Sequence, residues 1–363
     1  MAMDSVTRRD FVKATAVAAG AAAGLSAADQ AAKPDVAKIV NYNEKMEYRR
    51  LGRTGLMISA VCMGGHWKRI ETMTPDALKQ GGGWLGADIN NPHFQKNRYD
   101  VVTRCIEAGI NHIDACTIEE VQAYSKAIQG RREKMHLGCS WYQEEMRNGN
   151  CRTKAKLLET LDKGMKNAGL EYVDLWRITM HEQSGQHTKE EVDQMMEALA
   201  AAKKSGKVRF TGFSSHDRPH IKWMIETYPD VVDVVVTPYT AGSKKLPTDS
   251  VFDALKKYDV GCFGIKPFAS NSLFAGDSSL NGPKAEEDDT KARLAIRYIL
   301  HNPAITAPIP GLINTHQVDN VAKAVAERRE LDAIEKAELE KATDQMWARL
   351  PADYQWLKDW EFV

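Results

Sequence analysis

The chain has 363 residues, of which 49 are Lys or Arg and 49 are Asp or Glu, so its formal net charge is zero. Hydrophobic residues make up 43% and charged residues 27%, values close to those of an average soluble domain. This composition excludes an intrinsically disordered chain, and the neutral balance excludes a general attraction to nucleic acid or to anionic membranes. The length suffices for two domains or for one large α/β barrel.

Residues 1–28 have the pattern of an export signal. Arg8 and Arg9 precede Phe11, Val12 and Lys13, and a nearly uncharged run of Ala and Gly follows. The paired arginines resemble the twin-arginine signal of bacteria, which implies export of the folded protein, to the periplasm or elsewhere outside the cytoplasm, with the twin-arginine machinery as a partner. No later run reaches the roughly 18 apolar residues of a transmembrane helix, so the sequence predicts no membrane span.

After a polar linker at residues 29–46, short apolar runs alternate with amphipathic stretches. The apolar runs are rich in β-branched residues and predict buried parallel strands at 58–63, 111–115, 134–139, 173–178, 208–212, 231–236, 261–265 and 304–309. The amphipathic stretches predict helices at 92–108, 120–129, 153–168, 189–205, 218–226, 250–258, 289–300 and 318–326.

These strand–helix repeats predict an α/β protein, a (β/α)8 barrel formed as a single domain at residues 47–330. A doubly wound sheet is the alternative, but no Gly-x-Gly-x-x-Gly motif follows the first strand. Residues 331–363 are expected to add a C-terminal helix and tail. Because the active site of a barrel enzyme lies at the C-terminal ends of its strands, the candidate site residues are those that follow each strand.

Five sets of residues resemble the aldo-keto reductase family, in the order of that family and on the predicted elements. They are EYRRLGRTGL (47–56), AGINHID (108–114), GLEYVDLW (169–176), GKVRFTGFS (206–214), and RYIL (297–300) with IPG (309–311) and DN (319–320). The resemblance implies an N-terminal hairpin before the barrel, and reduction of a small carbonyl compound with NADP or NAD as cofactor. The family's site consists of an Asp, a Tyr acid, a Lys that lowers the pKa of that Tyr, and a His.

Of these four residues, the Asp alone has a counterpart here, which is Asp114. The Tyr position is Glu119 or is deleted, and the Lys position is Ser140. The His position is Thr179, and His181 follows two residues later. A phenol needs a neighbouring cation to donate a proton near neutral pH, so a site without the Tyr and the Lys requires a different acid.

We therefore expect an altered catalytic set that consists of Asp114, Lys266 and His181. Asp114 ends the second strand, where a carboxylate is typical of a functional site. Lys266 ends the seventh strand, where a desolvated lysine can act as acid, base or anion clamp, and the alternative is a lysine that extends to solvent or binds cofactor phosphate. His181 follows the fourth strand, where an imidazole can protonate an alkoxide, and the alternative is an ordinary surface residue.

The resemblance places the cofactor against Ser214, Ser215, Thr237, Pro310, Gly311 and Asn320. Basic residues that would bind a 2′-phosphate are not evident at 311–317, so the choice between NADP and NAD stays open. His181, Glu182 and His187 have the spacing H-E-x4-H, which fits no standard zinc pattern, so no metal site is predicted. His66 and His216 also lie on loops at the mouth and could join such a site.

Three further features bear on the barrel and its mouth. The glycine-rich insertion at 81–86 and the tail at 356–360 could each cover the mouth. His112 and His136 lie on predicted strands and are interpreted as barrel residues with satisfied hydrogen bonds.

Two functional hypotheses follow. The first is an exported oxidoreductase of aldo-keto reductase type with an altered acid/base set, acting on a carbonyl or hydroxyl compound, with sugars among the candidates. The second is a barrel without hydride transfer, either a binding protein or a redox-neutral or metal-dependent sugar lyase or isomerase. The cofactor-end residues favour the first hypothesis, and the missing Tyr, Lys and His favour the second.

Overall fold

The computed structural model describes residues 35–79, 86–243 and 250–362. The predicted export signal and most of the glycine-rich insertion lie outside the described residues.

Eight parallel strands form one sheet in which each strand pairs with its neighbour in the chain. They are β3 (Met63–Gly64), β4 (His112–Ala115), β5 (His136–Cys139), β6 (Val173–Thr179), β7 (Val208–Ser214), β8 (Val234–Pro238), β9 (Gly261–Ile265) and β10 (Ala307–Ile309). The last strand returns to the first, because Cys62 N donates to Pro308 O at 3.0 Å and Gly64 N donates to Pro310 O at 2.8 Å. The predicted (β/α)8 barrel is confirmed.

A helix follows each barrel strand. These helices are α1 (Pro92–Glu107), α2 (Ile118–Ala127), α3 (Lys154–Ala168), α4 (Lys189–Lys204), α5 (Arg218–Thr227), α6 (Val251–Lys257), α7 (Ala285–Leu300) and α8 (Thr315–Ala326). Helix α9 (Ala333–Ala348) and a 3-10 segment (Ala352–Phe362) form the C-terminal helical tail. In the part of the chain that the structure describes, no helix is long and apolar enough to cross a membrane.

The first predicted strand is divided in two, which is the main difference from the predicted elements. Its beginning, β2 (Met57–Ser59), pairs antiparallel with β1 (Tyr48–Arg50), and the barrel strand is the short β3. The cause is Asn111, whose Oδ1 accepts from Ser59 N at 2.9 Å and whose Nδ2 donates to Met57 O at 2.9 Å. A side chain thus replaces a neighbouring strand at this point, and the chain turns into the barrel.

The hairpin of β1 and β2 packs against the N-terminal end of the barrel. A side-chain carbon at Gly261, the first residue of β9, would lie 2.5 Å from Leu51, so Leu51 packs directly on the backbone there. Arg53 N also donates to Asp259 O at 2.6 Å, just before β9. Because this end is covered, ligands have access at the C-terminal ends of the strands.

The barrel interior is packed with apolar side chains, among them Leu175, Val234, Val236, Phe263 and Ile309. His112 is buried in this interior, where its ring stacks on Phe263 at a centroid distance of 4.6 Å. Neither ring nitrogen of His112 has a hydrogen-bond partner among the described residues, so its interpretation as a satisfied residue is wrong. The strand pattern located the residue correctly but carries no information on polar partners inside the barrel.

Candidate active site

A cavity of about 560 Å³ lies at the C-terminal ends of the barrel strands. This volume is in the range of small-molecule sites, which is roughly 300–1,000 Å³. Its lining includes His66 after β3, Asp114 on β4, Arg177 on β6, Ser214 on β7, Lys266 after β9, Gly311 after β10, and Tyr354 and Trp356 from the C-terminal tail.

Asp114 and Arg177 form a buried ion pair in this cavity. Arg177 Nε donates to Asp114 Oδ1 at 2.7 Å, and Nη2 donates to Oδ2 at 2.5 Å. Burial opposes the charge on Arg177, but Asp114 outweighs burial and raises the pKa of Arg177 above its usual value, so the guanidinium stays charged. The sequence reasoning missed Arg177. Strand alternation was the available signal, because Arg177 shares the inward face of β6 with Leu175 and needs a partner there.

Ser140 and Thr179, which the sequence predicts at the positions of the family's Lys and His, belong to a hydrogen-bond network around Glu145. Glu145 is fully buried. Glu145 Oε2 accepts from Ser140 Oγ at 2.6 Å and from Thr179 N at 2.7 Å. Glu145 Oε1 accepts from Trp141 N and from Trp176 Nε1, each at 3.0 Å. Burial raises the pKa of Glu145, while these four donors act in the opposite direction. Ser140 and Thr179 thus serve packing and hydrogen bonding.

The sequence predicts that the family's Tyr is replaced by Glu119 or deleted, and the neighbouring Glu120 is the residue that lines the cavity. Glu120 Oε1 accepts from His66 N at 2.5 Å and lies 2.7 Å from His66 Nδ1. Glu120 Oε2 accepts from Cys116 N at 2.8 Å. Burial raises the pKa of Glu120, but the charge and hydrogen bond of His66, with the backbone N–H groups of Cys116 and His66, outweigh it and lower the pKa to about 2.

Lys266 lies in the cavity beneath two aromatic rings of the tail. Its Nζ is 5.4 Å from the ring centre of Tyr354 and 5.5 Å from that of Trp356. Lys68 Nζ is 4.5 Å from the ring centre of Tyr354 and donates to Ser270 Oγ. The tail therefore forms one wall of the cavity, as the sequence predicts for this segment.

His181 lies apart from Asp114 and Lys266. Its side chain is 40% exposed, its Nδ1 accepts from Gln183 N at 3.2 Å, and it is not among the residues that line the cavity. Its neighbour Glu182 lines the cavity instead and pairs with Arg147 at 2.7 Å. The structure thus brings two of the three predicted catalytic residues, Asp114 and Lys266, into one cavity. A catalytic role for His181 stays a prediction, because its side chain is not part of the cavity lining.

The predicted cofactor residues divide into two groups. Ser214, Pro310, Gly311 and Asn320 line the cavity. Ser215 is buried and donates to Ser184 Oγ at 2.6 Å, and Thr237 is fully buried outside the lining, with no hydrogen-bond partner for its Oγ1 among the described residues.

The cavity carries carboxylates at the end near Asn320. Asn320 Nδ2 donates to Asp289 O at 3.0 Å, and its Oδ1 accepts from Arg293 Nη1 at 2.7 Å. The Asp289 carboxylate lies 2.6 Å from His316 Nε2, and both side chains line the cavity together with Asp288. Arg293 is further engaged by Glu327 at 3.1 Å. Arg293 is thus already paired, and the charged or titratable side chains that line this end include Asp288, Asp289, His316 and Lys284.

His66, Cys116 and Glu120 form the one group of potential metal ligands in the described ranges of the chain, with ligand atoms within 4.8 Å of one another. Cys116 Sγ lies 3.6 Å from His66 Nε2 and 3.7 Å from Nδ1. These nearly equal distances place the sulfur beside the ring and not along the lone pair of Nε2. Both oxygens of Glu120 already accept hydrogen bonds from backbone N–H groups. We therefore interpret the group as a hydrogen-bonded cluster.

The closed barrel, with a cavity at the C-terminal ends of its strands, defines a protein of the (β/α)8 class. Within that class, the sequence pattern of the aldo/keto reductase family matches residues 80–344, and the chain belongs to this family.

Named relatives and solved structures agree with this assignment. The chain is 24% identical over 312 residues to L-galactose dehydrogenase of Arabidopsis thaliana, covering 79% of this chain and 90% of that protein. It is 25% identical over 239 residues to L-glyceraldehyde 3-phosphate reductase of Escherichia coli (strain K12), covering 63% of each protein. The holo form of an aldo-keto reductase from Bacillus halodurans has a TM-score of 0.59 at 20% identity, covering 82% of this chain and 96% of that chain. An aldo-keto reductase from a deep-sea metagenome has a TM-score of 0.56 at 17% identity, covering 81% and 94%. These structural similarities show the fold.

Proposed function

We propose that the protein is a nicotinamide-dependent oxidoreductase that interconverts a carbonyl compound and an alcohol, with NAD or NADP as cofactor. Family membership and the names of the two relatives, a dehydrogenase and a reductase, support this proposal. The observation that carries it is that Ser214, Pro310, Gly311 and Asn320 line the same cavity as Asp114. The residues proposed to bind the cofactor thus line the same cavity as Asp114, the one counterpart of the family's catalytic residues.

The lining residues fit a dinucleotide. The cavity presents the hydroxyl groups of Ser214 and Ser270 and the side-chain amides of Asn271 and Asn314, with Lys266 at its centre. Such donors suit phosphate and ribose oxygens. The bound cofactor supplies the exchange of a hydride with the carbonyl carbon. The residues of this chain then have to orient the substrate, exclude water and move one proton.

The acid/base set of this site differs from that of the family, and we propose that it works without the Tyr, Lys and His. Arg177 donates to both carboxylate oxygens of Asp114, so this side chain is fixed in position in the cavity. Lys266 lies under the tail aromatics and is placed to hold a negative or strongly polar group of the substrate.

For the substrate class we propose a hydroxylated carbonyl compound, such as a sugar or a sugar derivative. Tyr354 and Trp356 give the cavity wall apolar surface that suits the carbon skeleton of such a compound, and Lys68 and Lys266 suit its oxygens. The two relatives are named for such compounds, L-galactose and L-glyceraldehyde 3-phosphate. A panel of aldoses, sugar alcohols and sugar phosphates, followed through NADH or NADPH absorbance, tests this class. Turnover of simple aliphatic aldehydes with none of the sugars would contradict it.

Export is a separate proposal, which rests on residues 1–28. Arg8 and Arg9 with the uncharged run after them support export of the folded chain through the twin-arginine machinery to the periplasm. A reporter protein fused to residues 1–32 should leave the cytoplasm of a bacterium that has this machinery. Replacement of both arginines by lysine should retain the reporter inside, and export that survives this change would contradict the proposal.

A cofactor titration tests the oxidoreductase proposal. The purified chain without residues 1–28 is titrated with NADH and with NADPH, with and without added divalent metal, and intrinsic fluorescence is recorded. We expect binding of at least one cofactor well below about 1 mM, the upper end of usual enzyme working ranges. Asn320→Ala should weaken binding, whereas Asn90→Ala, on the surface outside the cavity, should not. Absence of binding for both cofactors would favour the barrel without hydride transfer.

A further inference from the structure

A carbonyl group that receives a hydride leaves an electron pair on its oxygen, and a proton has to reach that oxygen. The family's Tyr is absent, so the proton needs another donor. Several titratable side chains that line the cavity have partners of their own: Asp114 pairs with Arg177, Glu182 pairs with Arg147, and His216 stacks on Trp356 at 4.4 Å. His66 differs, because it faces the cavity and is held from behind by a buried carboxylate.

The carboxylate of Glu120 is fixed in place by the loop that carries His66. Two backbone N–H groups, those of His66 and Cys116, donate to its two oxygens. A side-chain carbon at position 65 would lie 2.0 Å from Glu120 Cδ, so glycine at this position is what allows the carboxylate to lie against the loop. Because these contacts lower the pKa of Glu120 to about 2, it stays an anion across the working range of an enzyme.

This anion selects the tautomer of His66. Glu120 Oε1 lies 2.7 Å from His66 Nδ1, and an ionised carboxylate can only accept there, so Nδ1 carries the hydrogen. Nε2 is then the nitrogen that gains and loses a proton. The His66 side chain is 34% exposed and lines the cavity, so a substrate can reach it. Its φ of 58° is in the left-handed region, a conformation that is rare outside glycine and clusters at active sites.

We infer that His66 is the catalytic acid and base of this site, and that Glu120 is its positioning residue. This inference rests on the proposed oxidoreductase function. In the direction of reduction, the carbonyl carbon receives a hydride with its two electrons from the reduced nicotinamide. The carbonyl oxygen takes the Nε2 proton of protonated His66, so the carbonyl is reduced to an alcohol and the cofactor is oxidised. His66 then recovers a proton from water, and oxidation of an alcohol follows the same steps in reverse.

The charged surroundings of His66 are compatible with this role. Glu120 contacts the ring from α2, and the Cys116 thiol lies beside it after β4. Burial, followed by Glu120, raises the pKa of Cys116, so the thiol stays neutral. Asp114 is neutralised by Arg177, and Lys266 and Lys68 line the same cavity. Glu120 is thus the acidic side chain that contacts the ring directly, at the nitrogen opposite the one that the inference assigns to proton transfer.

The tautomer can be measured without turnover. In a sample labelled with ¹⁵N-histidine, the signals of His66 are assigned by their loss in His66→Gln. At a pH where the ring is neutral, we expect the wild-type protein to carry the hydrogen on Nδ1, and Glu120→Gln to lose this preference. A hydrogen on Nε2 in the wild-type protein would overturn the inference.

Turnover then tests the role itself, with the fastest substrate of the sugar panel. General acid–base catalysis contributes about 10²- to 10⁴-fold, so His66→Ala should lower kcat by at least about 10²-fold, with cofactor binding retained and partial rescue by added imidazole. In Glu120→Gln the ring loses the acceptor that fixes its tautomer, so kcat of reduction should fall while cofactor binding is retained. Gly65→Ala, which displaces Glu120, should act in the same direction. His301→Gln, an exposed histidine at the opposite end of the barrel, is the control.

The outcomes separate the two proposals. If the wild-type protein binds neither NADH nor NADPH, the oxidoreductase proposal fails and this inference fails with it. If cofactor binds and His66→Ala retains full turnover, the inference alone is wrong. Loss of turnover with a chelator and its recovery with zinc would replace the proton-transfer role with a metal site at the same residues.

Discussion

Arg177 donates from two nitrogens to the two carboxylate oxygens of Asp114, and both side chains are at least 95% buried. Such a pair is directional and strong, but loss of one partner leaves the other charge buried and uncompensated. The pair joins β4 to β6 across the intervening strand β5, so it fixes the Asp114 side chain at the mouth of the barrel.

Arg177→Met is expected to lower the free energy of unfolding by about 3–5 kcal/mol, because it leaves Asp114 buried without a counter-charge. The double variant Arg177→Met with Asp114→Leu should recover a large part of this loss. Urea denaturation measures both. A single variant that loses less than about 1 kcal/mol would show that water compensates Asp114 and that the pair matters little for stability.

The cofactor is expected to be NADH in preference to NADPH, by about tenfold in Kd, which corresponds to about 1.4 kcal/mol. The reason is charge, because the carboxylates of Asp288 and Asp289 line the end of the cavity near Asn320, where a 2′-phosphate would bring further negative charge. Fluorescence titration with the two cofactors measures the ratio. Asp289→Asn should reduce the preference, and Asp344→Asn, on α9, should leave it unchanged; a wild-type protein that prefers NADPH would contradict this charge argument.

Trp356→Ala is expected to raise KM by about 2- to 10-fold with a small effect on cofactor binding. Aromatic stacking contributes about 0.5–1.5 kcal/mol, and the Trp356 ring both stacks on His216 and lies over Lys266 in the cavity wall. Steady-state kinetics measures the change. Tyr42→Ala, an exposed tyrosine far from the cavity, is the control. Equal changes in the two variants would mean that the tail does not contact substrate.

Stability should fall as the pH drops below about 6.5, and His112 is one cause. Burial, with a smaller effect of His136, lowers the pKa of His112 to about 3, whereas an imidazole of the unfolded chain titrates near 6.5. The stability that neutral His112 contributes is complete above about pH 6.5 and is lost progressively toward about pH 3. His112→Phe keeps the stack on Phe263 and should reduce the loss between pH 7 and 5 by about 2 kcal/mol. Thermal melts at both pH values measure it, and an unchanged slope would assign the acid sensitivity to other groups.

The sequence predicted the barrel well because the period of the apolar residues determines strands and helices locally. The predicted elements lie within a few residues of β4 to β10 and α1 to α8, and the exception at residues 58–63 depends on a side chain, Asn111, that is distant in sequence. The site was predicted less completely. Asp114 and Lys266 were found from their places at strand ends, and both line the cavity.

Arg177 and Glu120 were missed as site residues for a physical reason. Their roles depend on contacts between elements that spacing along one element cannot show. Arg177 meets Asp114 across a strand, and Glu120 reaches the cavity because position 65 has no side chain and because Thr117 caps α2, with its Oγ1 accepting from Glu120 N at 3.0 Å. His66 was noted as a mouth residue, but nothing in its own segment points to the carboxylate 54 residues later in the chain.

The hydrogen bonds around Glu145 limit which side chains positions 140 and 179 can carry. Lysine at position 140 or histidine at position 179 would match a residue type of the family's site. Ser140, however, donates its hydroxyl hydrogen to the Glu145 carboxylate, and Thr179 donates its backbone N–H to it. A larger side chain at position 140 would remove a hydroxyl that donates to buried Glu145, and one at position 179 would remove the hydroxyl that lies 2.7 Å from Ser140 Oγ and accepts from Arg177 Nη1. Ser140→Lys would therefore disturb this buried network before it could alter the chemistry of the cavity.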